Sequence, residues 1–344
     1  MDKILTVIIP SYNMEGYLDK CLQSLICASL SLMDIIVVND GSTDRTVEIA
    51  RQYEKKYVES IRVIDKPNGN YGSCINTALP IAKGKYIKIL DADDCFKTSN
   101  LDGYLAFLYC QTADIIITDY QIVNASDTVT STITFNFPQE TTVQIDEIFR
   151  KVPLTHFEMH CITYHRRVFE RIDYHQTEGI SYTDQEWMFI PMTAVLTAYY
   201  HPIIIYRYLV GREGQTINSD RQHKMVKQTL QVVSSMANYY SSQQIEPNSV
   251  LERYLIKRMF VPAIAIYRIM LVKSSGFERD GTLITFDKQI ETQVPILSRQ
   301  LETETIGVIP FHFIKYWRLR IGSVSRFRML RLFQALYCIM KIVL

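Results

Sequence analysis

The first third of the chain alternates between short apolar runs and segments with helical spacing. The apolar runs are rich in β-branched residues and too short for helices, so they predict strands that are buried on both faces. Strands that alternate with helices predict a parallel sheet, and ligands of such sheets bind at the carboxyl ends of the strands. The four predicted strands are residues 4–9, 35–38, 61–64 and 86–90.

The rest of the chain is less regular. Residues 115–118 and 203–210 predict two further strands, and residues 125–143 predict edge strands or a hairpin. Residues 146–190 are mixed in pattern, whereas residues 221–272 have helical spacing throughout. We therefore expect an α/β domain followed by a helical extension.

Three carboxylates follow the fourth predicted strand directly, at Asp91, Asp93 and Asp94. Like charges at this spacing repel one another, and a bound cation relieves the repulsion. Hard oxygen ligands on a short turn suit Mg²⁺ or Mn²⁺, which also accept phosphate oxygens as ligands. The cluster therefore predicts a divalent metal that holds a diphosphate.

Other polar residues are expected at the same edge of the sheet. Asp40 follows the second strand, where it either accepts a hydrogen bond from a uracil or ribose or caps the next helix. Tyr12 either stacks on a base or packs against the protein. Asn68 and Gly72 belong to a loop of small residues that lets backbone approach a ligand. The chain has neither a G-x-G-x-x-G nor a Walker lysine motif, which disfavours dinucleotide and P-loop sites.

Composition narrows the class of protein. The 344 residues are 47% apolar and 21% charged, as in soluble globular proteins, and the net charge of +1 indicates no nucleic-acid partner. Seven scattered cysteines without a CxxC pair favour a reducing compartment over disulfides or zinc. Because the chain enters a strand pattern at once and has no run of about 18 apolar residues, we expect a cytoplasmic protein.

Three segments, taken together and in order, resemble those of a known family. The sequence is similar to the family 2 glycosyltransferases, closely to about residue 120 and more loosely to about residue 220. The resemblance implies an α/β architecture of the GT-A type, with a mostly parallel, Rossmann-like sheet and a nucleotide-sugar donor. The segments are residues 6–13, 36–44 and 84–94.

The resemblance as far as about residue 220, and the residue pattern beyond it, predict a division of the chain. Residues 1–220 form the GT-A catalytic domain, in which residues 1–120 bind the nucleotide sugar and residues 121–220 face the acceptor. Residues 221–305 form the helical extension, and residues 306–344 form a basic amphipathic helical tail.

The family pattern assigns roles to the residues at the sheet edge. The aspartate matching Asp40 contacts the uracil of a UDP-sugar, and the Asp-x-Asp of Asp91 and Asp93 binds ribose or sugar and Mn²⁺ or Mg²⁺. The other residues expected around the donor are Pro10, Tyr12, Asn68, Gly72 and Ala92.

The family also has an acidic motif that supplies a catalytic base. Its best match is residues 182–187, where Thr183 stands in place of the usual glutamate. We favour Asp184 as the base, with Glu186 as the alternative. Without the resemblance, both would be interpreted as surface acids at the start of a helix.

Two features near the C-terminus leave alternatives open. Arg212 follows the last predicted strand and either meets the diphosphate or forms a surface pair with Glu213. From Phe311 to Leu344 there are seven basic residues and no acidic ones, which predicts peripheral contact with the inner leaflet of the plasma membrane. The alternative is a helix packed against the protein or a partner subunit.

These features predict an inverting glycosyltransferase that moves a sugar from a UDP-sugar to a hydroxyl of a glycan or lipid-linked acceptor in bacterial surface polysaccharide synthesis. One rival is a nucleotidyltransferase on a related sheet, which needs a glycine- and lysine-rich phosphate loop that Pro10–Asn13 does not provide. The other rival is a non-catalytic carbohydrate-binding or assembly protein.

Overall fold

The computed structural model describes residues 2–153, 155–181, 183–211, 219–273, 281–305 and 311–319. The chain divides into two compact units, Met1–Thr216 and Ile217–Leu344. The first unit contains a ten-stranded sheet with helices, and the described elements of the second are helices. Within the described ranges, no helix is long and apolar enough to cross a bilayer.

The sheet of the first unit is mixed, but most of its long strands run in one direction. Its main path has the order β3-β2-β1-β4-β9-β6-β10-β5, with β7 beside β6 and β8 beside β10. The strands are β1 (Leu5–Ser11), β2 (Met33–Asp40), β3 (Ile61–Lys66), β4 (Tyr86–Ile89), β5 (Cys95–Phe96), β6 (Ile115–Val123), β7 (Val129–Ile133), β8 (Thr142–Gln144), β9 (Ile162–His165) and β10 (Thr197–Leu209).

The apolar runs explain the central strands. Every residue of β2 and β4 is buried, as expected for parallel strands that are covered on both faces. The parallel register of β1 with β2 pairs Ser11 with Asn39, so these two strands end at the same edge. Polar residues that follow β1, β2 and β4 are thereby brought together at the carboxyl edge of the sheet.

Seven helices of the first unit connect or flank these strands. They are α1 (Leu18–Gln23), α2 (Thr46–Lys56), α3 (Asn70–Ala78), α4 (Thr98–Cys110), α5 (Ile145–Lys151), α6 (Arg167–Glu170) and α7 (Asp184–Trp187).

The structure differs from the sequence prediction in the second half of this unit. The mixed segment 146–190 contains β9, which inserts between β4 and β6 and runs antiparallel to both. With only four residues, β9 is too short to give a periodic signal. The predicted strand at residues 203–210 begins earlier, at Thr197, because β10 continues through register shifts along β6.

The second unit is built from helices around a buried ionic network. Arg318 donates to Asp287 at 2.7 Å and to Glu302 at 2.9 Å, and the buried Tyr267 hydroxyl also donates to Asp287. The helices are α8 (Ser219–Ser242), α9 (Val250–Tyr267), α10 (Thr282–Gln293), α11 (Pro295–Glu302) and α12 (Phe313–Arg318), with a π-helical turn at Arg268–Lys273 after α9.

Helix α12 lies in the part of the basic tail that the structure describes, whereas membrane contact of the tail stays a prediction. Phe313, Ile314 and Trp317 are buried in the second unit, and Arg318 is ion-paired. The apolar side chains of this helix therefore pack against the protein, as the alternative prediction stated. The remainder of the tail, residues 320–344, lies outside the described residues.

Asp114 holds three segments of the first unit together at the start of β6. Its carboxylate is 1% exposed and accepts from Arg167 at 2.6 Å, from Arg171 at 3.0 Å and from the backbone N–H of Leu196 at 2.8 Å. Burial opposes ionisation, but the hydrogen bonds from Arg171 and Arg167 outweigh it, and the pKa of Asp114 lies below its ordinary value. The charged form of this residue therefore stabilises the fold.

We expect Asp114→Ala to lower the free energy of unfolding by ~3–5 kcal/mol, because it leaves two guanidinium groups without their buried partner. The lowered pKa means that this stabilisation is complete above the ordinary aspartate pKa of about 4 and is lost as the pH falls further. Urea unfolding at pH 7 and at pH 3 measures both effects. The exposed Asp173→Ala is the control, and an equal loss in both variants would contradict the assignment.

Candidate active site

A cavity of about 430 Å³ opens at the carboxyl edge of β1, β2 and β4. Residues from far apart in the sequence meet here because parallel strands end at one edge. Eight of the ten predicted site residues line it: Pro10, Tyr12, Asp40, Asn68, Asp91, Ala92, Asp93 and Asp184.

The other two predicted residues are not in this lining. Arg212 lies outside the described residues, as does Tyr182 of the acidic motif. Gly72 is buried in α3, where an added Cβ would lie 2.1 Å from the carbonyl oxygen of Thr177. Packing between two protein segments, rather than the approach of a ligand, therefore accounts for the glycine at this position.

Asp40 is fixed by contacts from the neighbouring strand. The register of β2 with β3 pairs Asp40 with Lys66, whose ammonium donates to the Asp40 carboxylate at 2.6 Å. The backbone N–H of Gly69 donates to the same oxygen at 2.9 Å, and the amide of Asn68 donates to the Asp40 carbonyl at 2.9 Å. The carboxylate, 2% exposed, is thus held in one position at the cavity wall.

The loop after β1 is braced by the segment that follows β2. Asn13 has a left-handed backbone with φ of 53°, its N–H donates to Ser42, and its side chain accepts from the N–H of Thr43. These contacts leave Tyr12 half-exposed at the cavity rim, with 48% of its surface accessible. An aromatic ring in that position can stack on a planar ligand.

Asp91, Asp93 and Asp94 bring carboxylate oxygens within 4.8 Å of one another. Asp94 is fully buried, and burial together with the charges of Asp91 and Asp93 raises its pKa above the ordinary value. A set of hard oxygen donors with unrelieved repulsion fits Mg²⁺ or Mn²⁺. Asp91 and Asp93 line the cavity, whereas Asp94 does not.

Asp94 instead anchors the acidic loop to β10. Its two oxygens accept from the Tyr206 hydroxyl at 2.6 Å and from the backbone N–H of Leu209 at 2.6 Å. The same Tyr206 hydroxyl accepts from the backbone N–H of Asp91 at 3.1 Å. One buried hydroxyl therefore bridges both ends of the loop that carries the predicted metal ligands.

The two candidate bases, Asp184 and Glu186, have different surroundings. Asp184 lines the cavity at the start of α7. Glu186 is 0% exposed, and its oxygens accept from the backbone N–H of Thr177 at 2.7 Å and from the Thr177 hydroxyl at 2.6 Å. Glu186 thus holds a loop in place, and of the two acids only Asp184 faces the cavity.

Comparison with known proteins identifies the family. Residues 6–173 match the family model for glycosyl transferase family 2. The uncharacterized glycosyltransferase EpsJ of Bacillus subtilis is 43% identical over 94 residues, which are 27% of this chain and 27% of that protein. Residues 6–173 of this chain therefore belong to glycosyltransferase family 2.

Longer matches within family 2 are more distant. Chondroitin synthase of Pasteurella multocida is 29% identical over 181 residues, which are 52% of this chain and 17% of that protein. The matched regions thus span about a quarter of EpsJ and less of the synthase. The structure of S. aureus TarS 1-349 in complex with UDP-GlcNAc aligns over 97% of this chain and 91% of that chain, with a TM-score of 0.69 and 18% identity. This likeness confirms the GT-A fold.

Several residues that line or border this cavity were not predicted as site residues from the sequence. The Tyr71 hydroxyl donates to Asp91 at 3.0 Å, and Met159, His160 and Tyr208 line the wall. Burial, and then the charge of Lys88, lowers the pKa of His160 to about 3, so its imidazole is neutral at pH 7. Tyr71 lies in the predicted loop, Met159 and His160 lie in the segment of mixed pattern, and Tyr208 lies in a predicted strand. Their local pattern does not mark them as cavity residues, and only the fold brings them together.

We expect Tyr206→Phe to weaken Mn²⁺ binding by ~10-fold or more, since residues that orient metal ligands typically have effects of this size. The variant removes the hydroxyl that fixes both Asp91 and Asp94, and the unpaired buried groups cost about 1–3 kcal/mol of stability. Electron paramagnetic resonance of free Mn²⁺ and urea unfolding measure the two effects.

Tyr104→Phe is the matched control for this variant. It also removes a buried hydroxyl, one that lies 2.8 Å from the hydroxyl of Thr163 and away from the cavity. We expect it to lower stability without changing Mn²⁺ affinity. Equal Mn²⁺ binding by Tyr206→Phe and the wild type would refute a positioning role for Tyr206.

Proposed function

We propose that this chain is an inverting glycosyltransferase that moves a sugar from a UDP-sugar to a hydroxyl of a glycan or lipid-linked acceptor. The observation that carries the proposal is one cavity lined by three separate acidic elements, namely Asp40, the Asp91–Asp93 pair and Asp184. Each element matches one need of the reaction. Asp40 would recognise the nucleobase, the Asp91–Asp93 pair would hold the diphosphate through its cation, and Asp184 would act as the general base. Family 2 membership supports the assignment.

The nucleotide is expected between β1 and β2. Asp40 is held by Lys66 and Gly69 at the cavity wall, where a carboxylate accepts the imide N–H of uracil. Tyr12 at the rim offers an aromatic face to the base. TarS, which shares the fold, was crystallised with UDP-GlcNAc, so this architecture accommodates a UDP-sugar.

Asp91 and Asp93 are proposed to hold Mn²⁺ or Mg²⁺. When bound, a divalent cation supplies positive charge to the leaving diphosphate. The chain's own contribution is to hold the ligands in place through Tyr206 and Tyr71, which contact the backbone and carboxylate of Asp91 respectively. This arrangement costs little reorganisation on binding because the supporting hydroxyls are already in position.

Asp184 is proposed to remove the proton of the acceptor hydroxyl. The hydroxyl oxygen attacks the anomeric carbon as the bond from that carbon to the diphosphate breaks, so the configuration inverts. The proton passes to the Asp184 carboxylate, and the electron pair of the broken bond leaves with UDP. The cavity wall of Met159, His160 and Tyr208 is suited to hold an acceptor, since His160 is neutral and adds no charge.

The biological setting follows from the relatives. Chondroitin synthase is a polysaccharide-forming enzyme by name, and the similarity of this chain to it favours a role in bacterial surface polysaccharide synthesis. A cytoplasmic position at the inner face of the plasma membrane fits that role. The membrane-contacting part of the proposal rests on residues 320–344, which lie outside the described residues.

We expect Asp184→Asn to reduce turnover by about 10²–10⁴-fold, the usual contribution of a general base, while UDP affinity and stability stay close to the wild type. Glu186→Gln is the matched change two residues away. It should lower the free energy of unfolding by about 1–3 kcal/mol, because a buried acceptor of two short hydrogen bonds is altered. Turnover that depends on Glu186 and not on Asp184 would reverse the assignment.

The donor site is tested by screening UDP-, GDP-, CMP- and dTDP-sugars for thermal stabilisation and hydrolysis, with and without Mn²⁺. We expect one UDP-sugar to raise the melting temperature only with Mn²⁺, and Asp93→Ala to abolish this effect. The exposed Asp146→Ala should leave it intact. Pyrophosphate released from UTP in the presence of a sugar 1-phosphate would favour a nucleotidyltransferase, and no response to any nucleotide sugar would favour a non-catalytic protein.

A further inference from the structure

A second cavity, of about 670 Å³, lies at the opposite edge of the same sheet. We call it the basic pocket, because its lining includes Lys3, Lys83, Lys85, Arg166 and Arg167. Lys3 precedes β1, Lys83 and Lys85 precede β4, and Arg166 and Arg167 follow β9. The start of β4 is paired with the start of β1 and with the end of β9, so all five residues lie at this edge. The seven residues of β1 separate the two edges by roughly 20 Å. The basic pocket is therefore distinct from the candidate active site.

The lining carries more positive than negative charge. Five cationic side chains face two acidic ones, Asp2 and Glu170, both of which are exposed. Glu170 pairs with Arg166 at 3.5 Å, a surface contact of small energetic value. Arg167 is paired with Asp114 behind the pocket wall. The remaining cations have no acidic partner of comparable strength in the lining.

Neutral backbone groups hold two of these cations in place. The Lys85 ammonium donates to the carbonyls of Leu108 at 3.3 Å and Tyr109 at 2.9 Å. The Lys3 ammonium donates to the carbonyls of Ser31 at 2.8 Å and Glu59 at 2.6 Å. Carbonyl oxygens fix the position of an ammonium group without neutralising its charge, so the pocket is preorganised for an anion.

The crowding of like charges has an electrostatic cost. Burial, aided by the charge of Arg167, lowers the pKa of Lys85. Burial, and then Arg167 and Lys85, lowers the pKa of His165 to about 4, so this imidazole is neutral at pH 7. An anion in the pocket would relieve the repulsion, in the same way that a cation relieves it among the carboxylates at the other edge.

We propose that the basic pocket binds a phosphate group. Phosphate presents several strong acceptor oxygens, and a mixture of guanidinium and ammonium donors is the combination that recognises it. The volume of about 670 Å³ leaves room for a molecule larger than one phosphate. This molecule is either a soluble phosphorylated compound or a phospholipid headgroup, and both present the same chemistry to the pocket.

The first test uses tripolyphosphate as the probe and the full chain in metal-free buffer with EDTA. Titration calorimetry compares the wild type with the double variant Lys83→Glu, Arg166→Glu, whose side chains are exposed and can change without disturbing the core. We expect the double variant to bind at least about tenfold more weakly, and wild-type binding to weaken as salt is added.

The control is Lys55→Glu, Lys151→Glu, which makes the same change in charge at two exposed helical positions outside the pocket. Equal loss of tripolyphosphate binding in both double variants, or no binding by the wild type, would overturn the proposal. Sedimentation with phosphatidylglycerol and phosphatidylcholine vesicles then separates the two sources. Vesicle binding that the pocket variant loses assigns a lipid headgroup, whereas vesicle binding that does not depend on the pocket assigns a soluble phosphate.

Discussion

The repulsion among Asp91, Asp93 and Asp94 is the constraint on which the rest of the candidate site depends. Three carboxylates with oxygens within 4.8 Å of one another would push the loop apart unless other groups held it. Tyr206 and the backbone of Leu209 do so from β10, a strand that begins about a hundred residues later in the sequence. The second half of the first unit is therefore needed to shape the loop that carries the predicted metal ligands, although these ligands all lie in the first half.

This dependence explains what the sequence predicted and what it did not. The strands that lead to Tyr12, Asp40 and Asp91 are predicted from the sequence, because local runs of β-branched residues are followed at once by polar ones. Tyr206 carries no such signal, since it lies 115 residues from the Asp91 N–H that it contacts. Lys88 is similar: it sits within a predicted strand, yet it is fully buried and donates to the carbonyl of Ile162 at 2.9 Å. Contacts of this kind are set by tertiary packing and leave no periodic pattern.

The acidic motif illustrates a second limit of sequence analysis. Asp184 and Glu186 are two residues apart in one short helix, so spacing alone cannot decide which of them meets a substrate. The structure distinguishes the two acids by their contacts. Both carboxylate oxygens of Glu186 accept hydrogen bonds from Thr177, whereas Asp184 lines the cavity. Thr183, at the position where the resemblance places a glutamate, is buried and accepts from Gln176 at 2.8 Å. Thr183 also lines the cavity beside Asp184, so this neutral residue is held by the protein and still borders the candidate site.

Helix ends explain part of the positive charge at the edge where the parallel strands begin. Helices that connect parallel strands run back across the sheet, so their carboxyl ends lie at the edge where the strands begin, and the carbonyls there attract cations. Lys85 caps the end of α4 in this way. Capping does not account for Lys83 or Arg166, since the Arg166 guanidinium donates to the carbonyl of Lys83, which is not part of a helix. The positive charge at this edge therefore exceeds what helix ends require, and that excess is what an anionic ligand would recognise.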